Sequence, residues 1–125
     1  MVRGIGVDII EIARIRKSIE SAGDGFLEKV FTPREITYCK SKHNMHQHFA
    51  ARFAAKEAVS KALSTGWRGE FHWKSVEVMN DASGQPHITL HGTLKDRLAG
   101  AAILVSLSHS ESHVVAMIVI EEKTS

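Results

Sequence analysis

The sequence predicts an α+β fold, and three observations predict it. Strand-like and helix-like stretches are mixed without a regular βαβ alternation. The strongest helical pattern lies in the middle of the chain, between a glycine-containing strand at the amino terminus and a strand pair further on. Near the carboxyl end, AILVSLSHS and HVVAMIVIE are apolar runs turning through SHSES, which reads as a buried antiparallel hairpin. No repeat, linker or compositional break divides the 125 residues, so residues 1–125 form one domain.

Residues 3–10 read as a strand with Ile5, Val7 and Ile9 on one face and Gly4, Gly6 and Asp8 on the other. Two glycines beside a carboxylate mark a place where another backbone or a ligand comes close. An edge strand with an exposed Asp8 fits the same pattern equally well. Residues 11–21 are helical, with Ile12, Ile15 and Ile19 on one side and Arg14, Arg16 and Lys17 around the other. SAGDG stops this helix with two glycines. Thr32, Pro33 and Glu35 then supply a cap, a proline at the first helical position and an acid in the first turn of a short helix reaching Cys39 or beyond. Residues 41–48 are polar and hold His43, His46 and His48.

From about His48 to Leu63 the periodicity predicts the longest helix. Ala51, Ala54, Ala55, Ala58, Val59 and Ala62 fall within an arc of about 140°, so the axis can lie close to whatever it packs on. The remaining arc interleaves Arg52, Lys56, Glu57, Ser60 and Lys61 with Phe49 and Phe53. That mixture reads as the wall of a ligand site or a subunit contact, or else as a helix buried on both sides with charges at its fringe. Beyond it, Gly66 and Gly69 bracket the loop STGWRGE. Strands at about 73–80 and 87–91 flank the turn NDASGQP, and a short helix covers 93–99 before the hairpin.

Composition narrows the function. With 43% hydrophobic and 24% charged residues the chain is globular, and two prolines and nine glycines exclude collagen-like architectures. The single Cys39 excludes an internal disulfide framework and fits a reducing compartment; it reads as a packing residue. No apolar run approaches the roughly 20 residues that span a bilayer. Asp8 and Glu11 interrupt the region where a signal peptide would be apolar, so a cytoplasmic location without a membrane partner is expected. A net charge of +2, with no basic stripe interleaved with stacking aromatics, argues against nucleic acid.

Two acids stand out against their surroundings. Asp8 sits on a strand among glycines, and Glu57 lies in line with Phe49 and Phe53, with Lys61 one turn on as a local partner. Should the helix pack beside the first strand, both carboxylates would converge on one ion of the magnesium type, which takes one or two carboxylates and completes its shell with water and phosphate oxygens. Arg52, Lys56 and Lys61 would supply positive charge for phosphate groups. His43, His46 and His48 lack cysteine partners and zinc-type spacing. His72, His87, His91 and His113 carry no signal, whereas His109 follows a predicted buried strand and reaches outward from a rigid base.

The segments GIGVDIIEIARI, FTPREITYC, ARFAAKEAVSKAL and LVSLSHSESHVVAMIVIE, with the W-x-x-V-E-V-x-N-D-x-x-G-x-P stretch at 73–86, resemble the signature blocks of holo-acyl-carrier-protein synthases. These are the small members of the 4′-phosphopantetheinyl transferase superfamily. The resemblance runs nearly end to end. It implies transfer of phosphopantetheine from coenzyme A to a serine of apo-acyl carrier protein, releasing adenosine 3′,5′-bisphosphate, with fatty acid biosynthesis as the setting. Matching the G-x-D and K-E-A positions, Asp8 and Glu57 would bind Mg2+, and Lys61 would stabilise charge on the departing phosphate. Arg52, Lys56 and His109 are the implied phosphate contacts, and Gly66 belongs to the coenzyme A-binding loop. The group that deprotonates the serine stays open between a magnesium-bound water, Glu57 and His109. Family members are similar in forming trimers with sites between subunits, so a homotrimer is expected. Their basic first helix docks the acidic carrier; Arg14 matches the docking arginine, and Arg16 and Lys17 add charge. SAGDG at 21–25 is more acidic than the corresponding stretch of relatives, and Ser64 replaces a common glycine. The alternative class is a catalytically silent module that binds coenzyme A or the carrier.

Overall fold

The computed structural model describes residues 1–64 and 71–123. Along the chain run β1 (Val2–Glu11), α1 (Ile12–Ala22), α2 (Asp24–Val30), α3 (Pro33–Lys40), α4 (Met45–Leu63), a 3-10 turn (Trp73–Ser75), β2 (Val76–Asn80), β3 (Pro86–Leu90), α5 (Gly92–Arg97), β4 (Ala101–His109) and β5 (His113–Glu122). This is the predicted α+β arrangement. The described strands form an antiparallel three-stranded sheet in the order β1-β5-β4 and a separate β2-β3 hairpin. Helix α4 lies between them: it packs on β1 and β5 on one side and meets α3 and β2 on the other.

The glycines of β1 explain how close α4 comes. A Cβ on Gly6 would overlap the carbonyl oxygen of Ala58 and stand 2.8 Å from its carbonyl carbon and 2.9 Å from Ala62 N. One on Gly4 would overlap Ala62 O in the same way. Glycines on the strand and alanines on the helix therefore bring two backbones into direct contact; β1 is also an edge strand of the described sheet, as the other reading had it, but Asp8 is largely covered rather than exposed. The consequence is a reversal of the usual burial rule. Gly4 and Gly6 face the core, while Ile5, Val7 and Ile9 point away from it, each more than half exposed. Register places Ile5 opposite Val119 and Val7 opposite Met117, with Leu104 on the far side of Val119. The outer face of the sheet is thus an apolar surface, and the terminal hairpin, expected to be buried, is covered on one side only.

Local signals placed most other elements. Thr32 closes a full capping box: its hydroxyl accepts from Glu35 N, and the Glu35 carboxylate accepts from Thr32 N at 2.9 Å, with Pro33 opening α3. Gly23 ends α1 at a positive φ of 56°. SAGDG is not a plain stop, however, because α2 begins at Asp24, immediately after that glycine, and buries Leu27 and Val30. Helix α4 starts at Met45, so half of the polar histidine stretch is helical. The segment expected as a strand from residue 73 opens with the 3-10 turn before β2. Cys39 is a packing residue: burial pushes its thiol up to about 12.

One expectation about α4 is corrected. Phe49, Arg52 and Lys56 do not form the wall of an open site; all three are buried within the chain, and Phe53 stacks on Trp73 with ring centroids 5.2 Å apart. Phe49 packs on Phe31, centroids 5.0 Å apart. With alanines against one sheet and aromatics against the other elements, most of α4 is buried on both sides; its first turn and the stripe carrying Glu57 and Lys61 reach the surface.

The β1–α4 contact makes a sharp prediction. Gly6→Ala should cost about 3 kcal/mol or prevent folding, since neither backbone can give way. Gly25→Ala, in α2 with nothing within 4 Å of its new methyl, should instead stabilise by about 0.5–1 kcal/mol. Urea unfolding midpoints of the two variants check both signs.

Candidate active site

The seam between β1 and α4 brings together the two acids that the sequence isolated. Asp8 shares the inward parity of Gly4 and Gly6 and is the next such residue along the strand, so it emerges where the helix margin begins. Its side chain retains 15% exposure and accepts a hydrogen bond from Lys61 Nζ at 2.9 Å. The same ammonium donates to Val7 O at 3.2 Å. Lys61 thus crosses to the strand rather than pairing along the helix with Glu57, as its spacing had allowed. Among the described residues Glu57 makes no hydrogen bond or ion pair, and it lies within the fields of Asp8, Lys61 and Arg14. Partial burial and then the Asp8 charge push its carboxyl above the ordinary range, against the opposing pull of Lys61 and Arg14. The two acids are close enough to feel each other's charge, and among the described residues only Asp8 of the two has a paired cation.

Arg52 and Lys56 sit elsewhere. Lys56 was expected to contact phosphate, yet its three donors are taken inside the chain: Glu35 Oε1 at 2.9 Å, Trp73 O at 2.9 Å, and Val76 O. Burial holds its pKa below the ordinary lysine value, and the Glu35 charge and hydrogen bond offset that only in part. Arg52 donates to Asn80 Oδ1 at 2.8 Å and lies 4.5 Å from the centre of the Tyr38 ring. It leaves α4 about 140° around the axis from Glu57, so one chain does not aim both at the same point.

Around Arg52 a second, cationic locus forms. The His48 ring stands edge-on to Tyr38, and Lys42 lies 4.9 Å over the same ring. Burial lowers the His48 pKa, and the fields of Arg52, Lys42 and His109 lower it further. His109, at the end of β4, is thus within the field of this locus. Buried Nδ1 of His46 and Nε of Arg52 lack hydrogen-bond partners among the described residues. Arg14, Arg16 and Lys17 are exposed on α1, and Arg14 and Lys17 line a groove with Ile9, Ile10 and His113. Gly66 lies outside the described residues. Another hollow, lined by Arg3, Leu63, Arg97 and Ile120, contains neither Asp8 nor Glu57.

Sequence reading missed the polar network behind this architecture. Glu35 was legible as a capping acid, but it also pairs with Lys56 and accepts from Val78 N at 2.8 Å. Glu77 is buried on β2, accepts from Thr32 Oγ1 at 2.5 Å, and has His91 Nε2 at 3.2 Å and Arg34 at 3.5 Å. Burial alone would raise the Glu77 carboxyl; Thr32, His91 and Arg34 outweigh it and hold the pKa below the usual range. The available signal was an acid flanked by valines in VEVMN.

The charge imbalance at Glu57 has a measurable consequence. A raised folded pKa contributes stability at low pH that is lost as pH rises through it, so ionised Glu57 is a liability at neutral pH. Glu57→Gln should raise the thermal midpoint at pH 7.5, with the gain vanishing toward pH 4. A lower midpoint at pH 7.5, or a gain independent of pH, contradicts this account.

Comparison with known proteins identifies the family. Residues 4–118 match the model of the 4′-phosphopantetheinyl transferase superfamily. Holo-[acyl-carrier-protein] synthase from Koribacter versatilis is 44% identical, covering 98% of this chain and 100% of the relative. The crystal structure of holo-[acyl-carrier-protein] synthase from Neisseria meningitidis superposes with a TM-score of 0.87 at 31% identity, covering 98% of this chain and 100% of that one. A holo-(acyl-carrier-protein) synthase from Bacillus anthracis, solved in complex with CoA (3′,5′-ADP), gives 0.81 at 35% identity over 98% and 99% of the chains. Matches of this length and identity, on a fold that agrees throughout, mean that the chain belongs to the 4′-phosphopantetheinyl transferase superfamily, among the holo-[acyl-carrier-protein] synthases.

Proposed function

We propose that this chain transfers 4′-phosphopantetheine from coenzyme A to a serine hydroxyl of apo-acyl carrier protein, releasing adenosine 3′,5′-bisphosphate. The observation that carries the reading is the convergence of Asp8 and Glu57 from β1 and α4, in a chain whose relatives bear that enzyme's name. The donor set fits Mg2+: two carboxylates, one without a partner, leave room for water and phosphate oxygens in an octahedral shell. Asp8 and Glu57 would hold the ion. When bound, it neutralises the diphosphate of coenzyme A and stabilises charge at the phosphoryl group under attack.

The rest follows from this chain's own side chains. Lys61, on the exposed margin beside the acids, is placed to hold the departing phosphate. Glu57 lies within the field of Arg14 on α1, so a carrier docked on the basic face of α1, with Arg16 and Lys17, would bring its serine toward the acid pair. Arg52 and His109, with Lys42 and His48 beside them, offer a locus for phosphate groups at some distance from the acids. Two loci on different sides of α4 favour a site completed by a neighbouring copy. The apolar outer face of the sheet, with Ile5, Val7, Ile9, Leu104 and Met117 between 45% and 63% exposed, supports a homotrimer built on that face. Among the described residues no helix is long and apolar enough to cross a membrane; the proposed setting is the cytoplasm and fatty acid biosynthesis.

Incubation with coenzyme A, Mg2+ and an apo-acyl carrier protein should add one phosphopantetheine to the carrier by mass spectrometry. Asp8→Ala and Glu57→Ala should each lower turnover about 100-fold or more without unfolding the chain. Tight coenzyme A binding without transfer to any carrier would favour the silent module instead. Light scattering in solution should report three chains per particle; a monomer removes the shared site.

A further inference from the structure

Two lysines of α4, five residues apart, are held in opposite ways. Lys56 is fully buried with all three donors engaged. The Lys61 side chain is 54% exposed, and its ammonium reaches over the edge of β1 to Asp8 Oδ1 and Val7 O. Asp8 is the anchored partner of that pair, set on the strand at the end of the glycine seam and 15% exposed. The partner with room to leave is the lysine, a long flexible side chain more than half exposed.

We propose that Lys61 is the resident counter-cation of the acid pair, occupying Asp8 until a divalent ion enters and then swinging away with its charge free for phosphate. This rests on the reading of Asp8 and Glu57 as metal ligands. A divalent ion held by Asp8 and the ammonium 2.9 Å from Asp8 Oδ1 would repel each other at short range, so the two would compete for one carboxylate. The exchange is cheap because the ammonium is strongly hydrated and half outside the protein already. It orders events: the ion enters, the lysine is released, and the phosphate-bearing substrate then meets an unengaged ammonium. A lysine locked like Lys56 would not serve, since it has no donor to release.

The test is Mn2+ binding to the full chain without coenzyme A, followed by calorimetry or by the electron paramagnetic resonance signal of free Mn2+. Lys61→Met should bind Mn2+ about tenfold more tightly than wild type, because the competitor is gone. Arg14→Gln removes a positive charge near Glu57 without touching Asp8, and should tighten binding by much less. Without metal, Lys61→Met should melt below wild type, and saturating Mn2+ should remove that deficit. Unchanged or weaker binding by Lys61→Met, or a gain no larger than that of Arg14→Gln, overturns the exchange while leaving the metal site in place. Wild-type affinity in Asp8→Asn, or no Mn2+ bound by any form, overturns the metal reading itself.

Discussion

The structure depends on one contact, backbone against backbone, where Gly4 and Gly6 of β1 meet Ala58 and Ala62 of α4. No side chain fits between them. The missing volume on the strand brings the helix close enough for residues at its margin to reach side chains of the strand. Asp8 and Glu57 are neighbours for that reason, and Lys61 can span from helix to strand. The same contact turns the large apolar residues of β1 outward. A strand that gives its inner face to glycine must carry Ile5, Val7 and Ile9 on the other, which leaves the sheet with a surface suited to another protein.

On its opposite side α4 is fixed by charge. Lys56 and Glu35 form a fully buried pair, and Glu35 also caps α3 and accepts from β2, so one carboxylate joins three elements. Such a pair adds little net stability, but removing one partner would strand a buried charge at a cost of about 3–5 kcal/mol. Its role here is positional. It fixes the β2-β3 hairpin and α3 against a helix whose other margin carries Glu57 and Lys61. Glu77, Thr32 and His91 extend the network toward the surface, and each of its acids has partners.

Much of this was legible in the residues. Thr32, Pro33 and Glu35 state a helix start by local rules, and the alanine arc of α4 declared that its axis would pack closely. Asp8 and Glu57 stood out because neither had a surrounding that explained it. The misreadings share a cause. Arg52 and Lys56 looked like outward-facing cations because charges on a helix normally face solvent, yet each is buried and found a partner distant in sequence: Asn80 for Arg52, Trp73 and Val76 for Lys56. Helix α2 was hidden by the glycines of SAGDG, whose composition signals a stop equally well when another helix follows.

The sequence by itself determined what is decided within a few residues of the chain or by kind of residue: the caps, the helical and strand periods, the identity of the two acids, and the blocks that mark the family. Tertiary structure alone decided which face of β1 is inside, which lysine of α4 is buried and which stays exposed, and which distant partners Arg52 and Lys56 meet. Those outcomes turn on contacts between residues far apart in sequence. A glycine reads as a gap until a helix fills it, and a lysine reads as a surface charge until a carboxylate from another element meets it.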